Sequence, residues 1–199
     1  MLKTMKCEKA GYRLVHVFEH EWLENKGLCI DYVKRALGIG LEEIDARKCS
    51  ISFDASDADI KMFFKENSFQ MPIEGSIAVS LMHSNAIVAV AAFIKDNGKW
   101  KTCCYAEKIG LHVKDALQTL LKAFSEKSNA YEVLFEVSHN YCMADDFTSQ
   151  GFVFTKYIKP ICKWMKRRKL VDDANEMHDE SNDIVKLYDA GSILLQWKR

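Results

Sequence analysis

The chain is short of the residues that break or staple a fold. Its 199 residues include two prolines, Pro72 and Pro160, and nine glycines, so long stretches can run as regular helix and strand. No Cys-x-x-Cys pair occurs among its seven cysteines, an odd number, and paired soft ligands are what zinc sites need. Cys7, Cys29, Cys49, Cys103, Cys104, Cys142 and Cys162 therefore read as reduced thiols of a cytoplasmic protein. Cys103 and Cys104 are adjacent on a predicted strand, which places one of them toward the core. No apolar run approaches the roughly 18 to 20 residues that span a bilayer, and the opening Met-Leu-Lys-Thr-Met-Lys lacks an apolar leader core. Net charge is zero, which argues against general coating of nucleic acid. His16 and His20 are four apart, but the first lies in a strand-like run, so no metal site is expected. Nucleotide-binding Gly-x-Gly-x-x-Gly, P-loop, Gly-x-Ser-x-Gly and internal repeats are all missing.

What is present is 48% hydrophobic residues, enough for one core with a small appendage. Leu2 to Ala10 reads as a helix stopped by Gly11, and Tyr12 to Phe18 as a β-rich run. Glu19 to Lys26, ended by Gly27, and Asp31 to Leu37 read as helices. Ala46 to Phe53 reads as a strand that opens the second block. Ser56 caps a helix over 57–67, with Asp57 and Asp59 in its positive first turn. Strands follow over 76–82, 86–94 and 100–106, with Asp96-Asn-Gly98 as a hairpin turn. Val113, Leu117, Leu120, Leu121 and Phe124 share one helical face, predicting a helix over 113–124. Strand 132–138, short helix 144–150 and strand 151–155 come next, and 184–188 with 192–197 supply closing strands.

Charge is unevenly placed despite the balance. Lys156, Lys159, Lys163, Lys166, Arg167, Arg168 and Lys169 form a basic run, and Asp172, Asp173, Glu176, Asp179, Glu180 and Asp183 an acidic one. Lys159, Lys163, Lys166, Arg167, Arg168 and Lys169 are interleaved with Trp164, and such a run can neutralise phosphates while the indole stacks on a base. The competing reading is a surface helix whose charge is answered by those acids.

Strand, helix, three-strand meander, long helix, strand, short helix, strand resembles the GNAT acetyltransferases. So does Ala144-Asp-Asp-Phe147-Thr-Ser-Gln150-Gly151-Phe152, which is similar to their late A-x-x-(Y/F)-x-x-x-G-F signature. The fold class implied is α/β (α+β), a mostly antiparallel mixed sheet flanked by helices. The whole chain also resembles a group of bacteriophage proteins. There, Gly11 to Trp22 is similar to the last segment of a very-short-patch-repair-like homing endonuclease domain, and Ala46-Arg-Lys-Cys49 to the start of the GNAT-like part. Tyr188-Asp-Ala-Gly191 with Trp197-Lys198 is similar to its end. This implies an appendage over 1–45, a GNAT-like domain over 46–199, and residence in a host cytoplasm.

The resemblance places acetyl-CoA, if it is used at all, against Gly110, Leu111, His112, Val113 and Lys114. GNAT enzymes carry (Q/R)-x-x-G-x-(G/A) there, with small residues letting backbone N–H groups close on a pyrophosphate at a helix N-terminus. This chain has Glu107-Lys-Ile-Gly110-Leu-His112, which keeps one glycine and adds a carboxylate. In the frame of the phage group a small pair falls on Lys114-Asp115 and is also lost. Phe147 stands where many GNAT enzymes have a proton-donating tyrosine. Tyr141 or Tyr157 is a candidate replacement for that donor, with no spacing that favours either. Glu107 and Glu136 are candidate bases by location alone, with a solvated surface carboxylate as the plainer reading of either glutamate. The expectation is a GNAT-fold protein without acetyl transfer, binding DNA or a nucleoprotein or host partner through residues 156–169. The alternative is an acetyl-CoA-dependent N-acetyltransferase with an atypical loop. Nuclease activity is not expected, since the catalytic acids of the related domain would lie upstream of this chain.

Overall fold

The computed structural model describes residues 2–148, 150–166, 168–171 and 184–199. Its centre is a seven-stranded sheet built from β2 (Ser50–Ser52), β3 (Ile77–His83), β4 (Ala86–Asp96), β5 (Lys99–Glu107), β7 (Glu132–Ser138), β8 (Phe152–Ile158) and β12 (Ser192–Lys198). The order across it is β2-β3-β4-β5-β7-β12-β8. All neighbours are antiparallel except β5 and β7, which pair in parallel over Trp100–Thr102 and Val133–Phe135. The strand nearest the C-terminus thus lies inside the sheet, between β7 and β8.

Two helices sandwich this sheet because β4 is apolar on both faces. Ala89, Ala91 and Phe93 turn toward α5 (Ala116–Ser128), where Leu117, Leu120, Leu121 and Phe124 complete the larger core. Val90 and Ala92 turn the other way, toward Ile60, Phe63 and Phe64 of α4 (Asp57–Asn67). Alternate residues of a strand face opposite sides, so a continuous apolar run serves a sheet covered twice. Ser56 caps α4 by accepting from Asp59 N, as its sequence requires.

The elements preceding the sheet pack onto it. They are α1 (Leu2–Lys9), α2 (Glu19–Glu24), α3 (Lys26–Leu37) and β1 (Glu42–Asp45). β1 pairs in parallel with β6 (Leu111–Lys114). His139, almost fully buried, bonds Glu8 of α1 at 2.6 Å, and the His16 amide donates to Asn140 O at 2.8 Å.

Several sequence expectations are corrected here. Tyr12 to Phe18 forms no strand, because β-prone residues need a ladder partner; the Tyr12 amide bonds Cys7 O and the His16 amide Asn140 O, and neither starts a ladder. Of the strand expected over Ala46 to Phe53 only Ser50–Ser52 forms, because Asp45 accepts from the Arg47 amide and caps a 3-10 turn over Ala46–Lys48. Gly27 does not end a helix but lies in the first turn of α3, capped by Asn25, which accepts from Leu28 N. The helix expected from Val113 begins at Ala116, since Leu111–Lys114 is recruited as a strand by β1. It runs on to Ser128, where Asn129 takes the left-handed conformation.

Beyond the main sheet, β9 (Cys162–Lys166), β10 (Lys169–Val171) and β11 (Ile184–Tyr188) make a second sheet in the order β10-β9-β11. α6 (Asp145–Thr148) precedes β8. Between β11 and β12, Gly191 at φ +84 lies against the Ile158 carbonyl, which any β-carbon would overlap. No helix among the described residues is long and apolar enough to cross a membrane.

Candidate functional site

The loop from Glu107 to Asp115 joins β5 to α5, and five of its amides are already bonded. Ile109 N donates to Asn67 Oδ1 at 2.8 Å and Gly110 N to Asp31 Oδ1 at 2.7 Å. Val113 N donates to Glu107 Oε2 at 2.9 Å, while Lys108 N and Leu111 N bond backbone carbonyls. Carboxylate and carboxamide oxygens of the chain itself therefore occupy positions at which an anionic ligand would accept. Asp115, the residue before α5, adopts φ 61, a left-handed conformation that glycine takes without strain.

Arg35 of α3 ties the cluster together. Its guanidinium reaches Asp31 Oδ2 at 2.5 Å, Glu107 Oε2 at 2.7 Å, Lys108 O at 3.2 Å and Leu111 O at 2.5 Å. A planar fork with five donors can serve that many acceptors, where an ammonium would not. Tyr105 donates to Glu107 Oε1 at 2.5 Å, and His112 Nδ1 lies 3.4 Å from Oε2. Burial would raise the Glu107 carboxyl, but bonds from His112, Arg35, Tyr105 and the Val113 amide outweigh it and lower it. His112 is raised in turn, first by its bond to Glu107. Burial and the nearby Glu107 charge push the Tyr105 hydroxyl well up.

Of the sequence candidates, Glu107, Gly110, Leu111, His112 and Val113 are brought into this one cluster, while Lys114 is exposed on β6. Glu107 is not a solvated carboxylate: its side chain is 9% exposed. Glu136 is the more open one, paired with Lys101 Nζ at 2.9 Å. Tyr141 donates to Glu21 and stacks on Tyr32 at 4.3 Å, and burial with that bond pushes its hydroxyl far up. Phe147 is core, packed edge-on against Phe135 and Phe152. Asp31, Arg35 and Asn67 were missed by sequence reasoning. The i, i+4 spacing of Asp31 and Arg35 on α3 was the one available signal.

The basic run becomes strand rather than surface helix. Trp164 faces Lys186 across the β9–β11 ladder, with Nζ 4.8 Å above the indole. Alternation puts Lys166 on the Trp164 face and Lys163 on the opposite one, so the run does not present one uniform face. A recess of about 310 Å³ is lined by Ile161, Cys162, Lys163, Trp164, Leu170 and Val171. Lys156 and Lys159 are exposed before β9, and Arg168 reaches Glu19 Oε1 at 3.3 Å. Arg167 and the acids Asp172 to Asp183 lie outside the described residues, as does the Lys169 side chain.

No protein-family model matches the sequence, and no curated protein matches it. Solved structures do resemble it. A Bacillus subtilis acetyltransferase in complex with CoA aligns over 76% of this chain and 99% of its own, with TM-score 0.51 and 12% identity. A GNAT family acetyltransferase from Elizabethkingia anophelis with acetyl-CoA bound aligns over 76% and 99%, with TM-score 0.43 and 12% identity. An IAA acetyltransferase from Bacillus cereus gives TM-score 0.44 over 76% and 99%, at 11% identity. The first of these, with the mixed sheet flanked by helices, shows that the chain has the GNAT acetyltransferase fold.

Proposed function

We propose that this GNAT-fold chain is a binding module that does not transfer acetyl groups, acting on DNA or a nucleoprotein partner through residues 156–169 and the β9–β11 sheet. One observation carries the first half. The amides of Ile109, Gly110 and Val113, which a pyrophosphate would need, are bonded to Asn67, Asp31 and Glu107. Placing a phosphate there would bring it against two carboxylates and require breaking charge-assisted bonds that Arg35 holds in place. Tyr141, tied to Glu21, and Phe147, buried in the core, leave neither position suited to proton donation.

Support for the second half is the conjunction of Trp164, Lys166 and Lys186 on one strand face, with Lys159 exposed ahead of β9 in sequence. An indole with flanking cations suits a stacked base between phosphates. The resemblance of the chain to phage proteins agrees with a role beside nucleic acid in a host cytoplasm, with residues 1–45 as a nuclease-derived layer.

A second reading, an acetyl-CoA-dependent N-acetyltransferase, is favoured by one feature. β5 and β7 pair over only three residues each and share no further ladder, although β5 continues to Glu107 and β7 to Ser138. That is room between parallel strands for an extended ligand. Titration calorimetry with acetyl-CoA, read alongside thermal stability, separates the two. The binding-module reading expects no heat and no rise in Tm at millimolar ligand, and saturable heat with a raised Tm would overturn it. In a gel-shift series, DNA binding should weaken steeply as salt rises and should fall further in Trp164→Ala; no shift even at low salt would remove the DNA part.

A further inference from the structure

Adjacent cysteines on a regular strand point to opposite faces, and Cys103 and Cys104 would be separated by the sheet. β5 is not regular there. Ala92 of β4 pairs with Cys104, yet the next residue, Phe93, pairs with Thr102, which leaves Cys103 as the extra residue of a β-bulge. Packing confirms the shift of phase. Trp100 and Tyr105, an odd number of positions apart, both pack on the α5 side. Cys103, Cys104 and Ala106 all pack on the α4 side. Two neighbouring thiols thus share one face.

They are also unlike one another. Cys104 is buried at 2% exposure, whereas Cys103 is half-buried and its Sγ donates to Ala92 O at 3.3 Å. The Cys104 thiol, working against burial and joined by the Ile73 backbone and Ser76, lowers Cys103 to about 6. The same contact and burial push Cys104 far up. A half-buried thiol that gives up its proton more readily than usual, beside a deeply buried thiol, is the arrangement of an attacking and a resolving cysteine. Elsewhere, Cys29, Cys49 and Cys142 are raised by burial, which keeps them as unreactive thiols.

The geometry points to a modification site: Cys103 and Cys104 form a vicinal dithiol that hydrogen peroxide oxidises to a disulfide between neighbouring residues. The Cys103 thiolate attacks one peroxide oxygen, the O–O bond breaks, and the departing hydroxide takes a proton to leave as water. Cys103 is then a sulfenic acid. The Cys104 sulfur attacks the Cys103 sulfur, the S–O bond breaks, and the hydroxyl leaves with the Cys104 proton as a second water. Two thiols and one peroxide become one disulfide and two waters. Consecutive Cα atoms lie about 3.8 Å apart, less than the roughly 4.4 Å at which unstrained bridges begin, so the product is strained and easily reduced. A small thiol such as glutathione restores both thiols and is itself oxidised to its disulfide. Nothing in this depends on whether the chain uses acetyl-CoA.

The test is peptide mapping by mass spectrometry of the reduced full chain after hydrogen peroxide. The expected product is the peptide holding Cys103 and Cys104 lighter by two hydrogens, reverting with glutathione. Cys103→Ser should abolish it, and Cys104→Ser should stop at a sulfenic acid that dimedone traps at Cys103. Oxidation of Cys103 to a sulfinic acid in the unaltered chain with no bridged peptide would overturn the proposal. So would dimedone labelling elsewhere in Cys104→Ser. The unaltered chain decides the matter alone if either variant fails to fold.

Discussion

At the scale of single residues, the Arg35 guanidinium alone reaches four acceptors. It answers two carboxylates whose side chains are 5% and 9% exposed, and it bonds two carbonyls of the loop they cap. Removing a cation from such a pair leaves the anions buried without compensation, which costs more than the pair itself contributes. Arg35→Met, which keeps most of the volume, should lower stability by about 3 kcal/mol in urea unfolding. Arg35→Lys should recover only part of this, because a point charge cannot fork across four acceptors. The i, i+4 pairing of Asp31 with Arg35 was legible in the sequence. Their target was not: Asp31 and Gly110 are 79 residues apart, and nothing local to either announces the other.

At the scale of elements, local periodicity was a sound guide wherever an element buries one face. α4 and α5 and the meander of β3, β4 and β5 lie close to where spacing and turn residues put them. Failures came where a neighbour decided. Leu111–Lys114 carries the phase of the helix that follows, but β1 offers it a ladder and Asp115 then turns left-handed before α5 can start. Tyr12 to Phe18 has strand composition and no partner strand. The basic run forms a strand because β10 and β11 flank it, which divides its lysines between two faces. Within α5, Phe124 is the residue whose loss should be felt most. It is fully buried, stacked on Phe93 at 3.9 Å and met edge-on by Trp100 at 5.0 Å. Phe124→Ala should destabilise by about 3–5 kcal/mol through lost transfer energy and the cavity left behind, measured by denaturant midpoint with the slope unchanged.

At the scale of the whole molecule, the cluster between α3 and the loop makes stability depend on pH in two directions. Glu107 titrates lower in the folded chain than its ordinary 4.5, so its contribution is complete above that value and is lost as pH falls through the folded one. His112 titrates higher than its ordinary 6.5, so its contribution is complete below that value and is lost as pH rises through the folded one. These two groups therefore favour the native state most between 4.5 and 6.5. Urea midpoints across that range should peak inside it, and Glu107→Gln should flatten the acid arm. An acid arm as steep in Glu107→Gln as in the unaltered chain would show that other carboxylates control it.

The amino-acid sequence by itself determined the order of most elements, because each depends on neighbours within a few positions, and the fold class followed from the resemblance of that order to the GNAT acetyltransferases. Periodicity, caps and turn chemistry act at that range. What only the tertiary structure decided are pairings between distant segments. β12 is inserted between β7 and β8, oxygens from α3 and α4 bond the Gly110 loop, and a bulge against β4 turns Cys103 and Cys104 to the same face. A β-ladder or a buried ion pair is chosen by what lies across it in space, and strand alternation cannot foresee one extra residue.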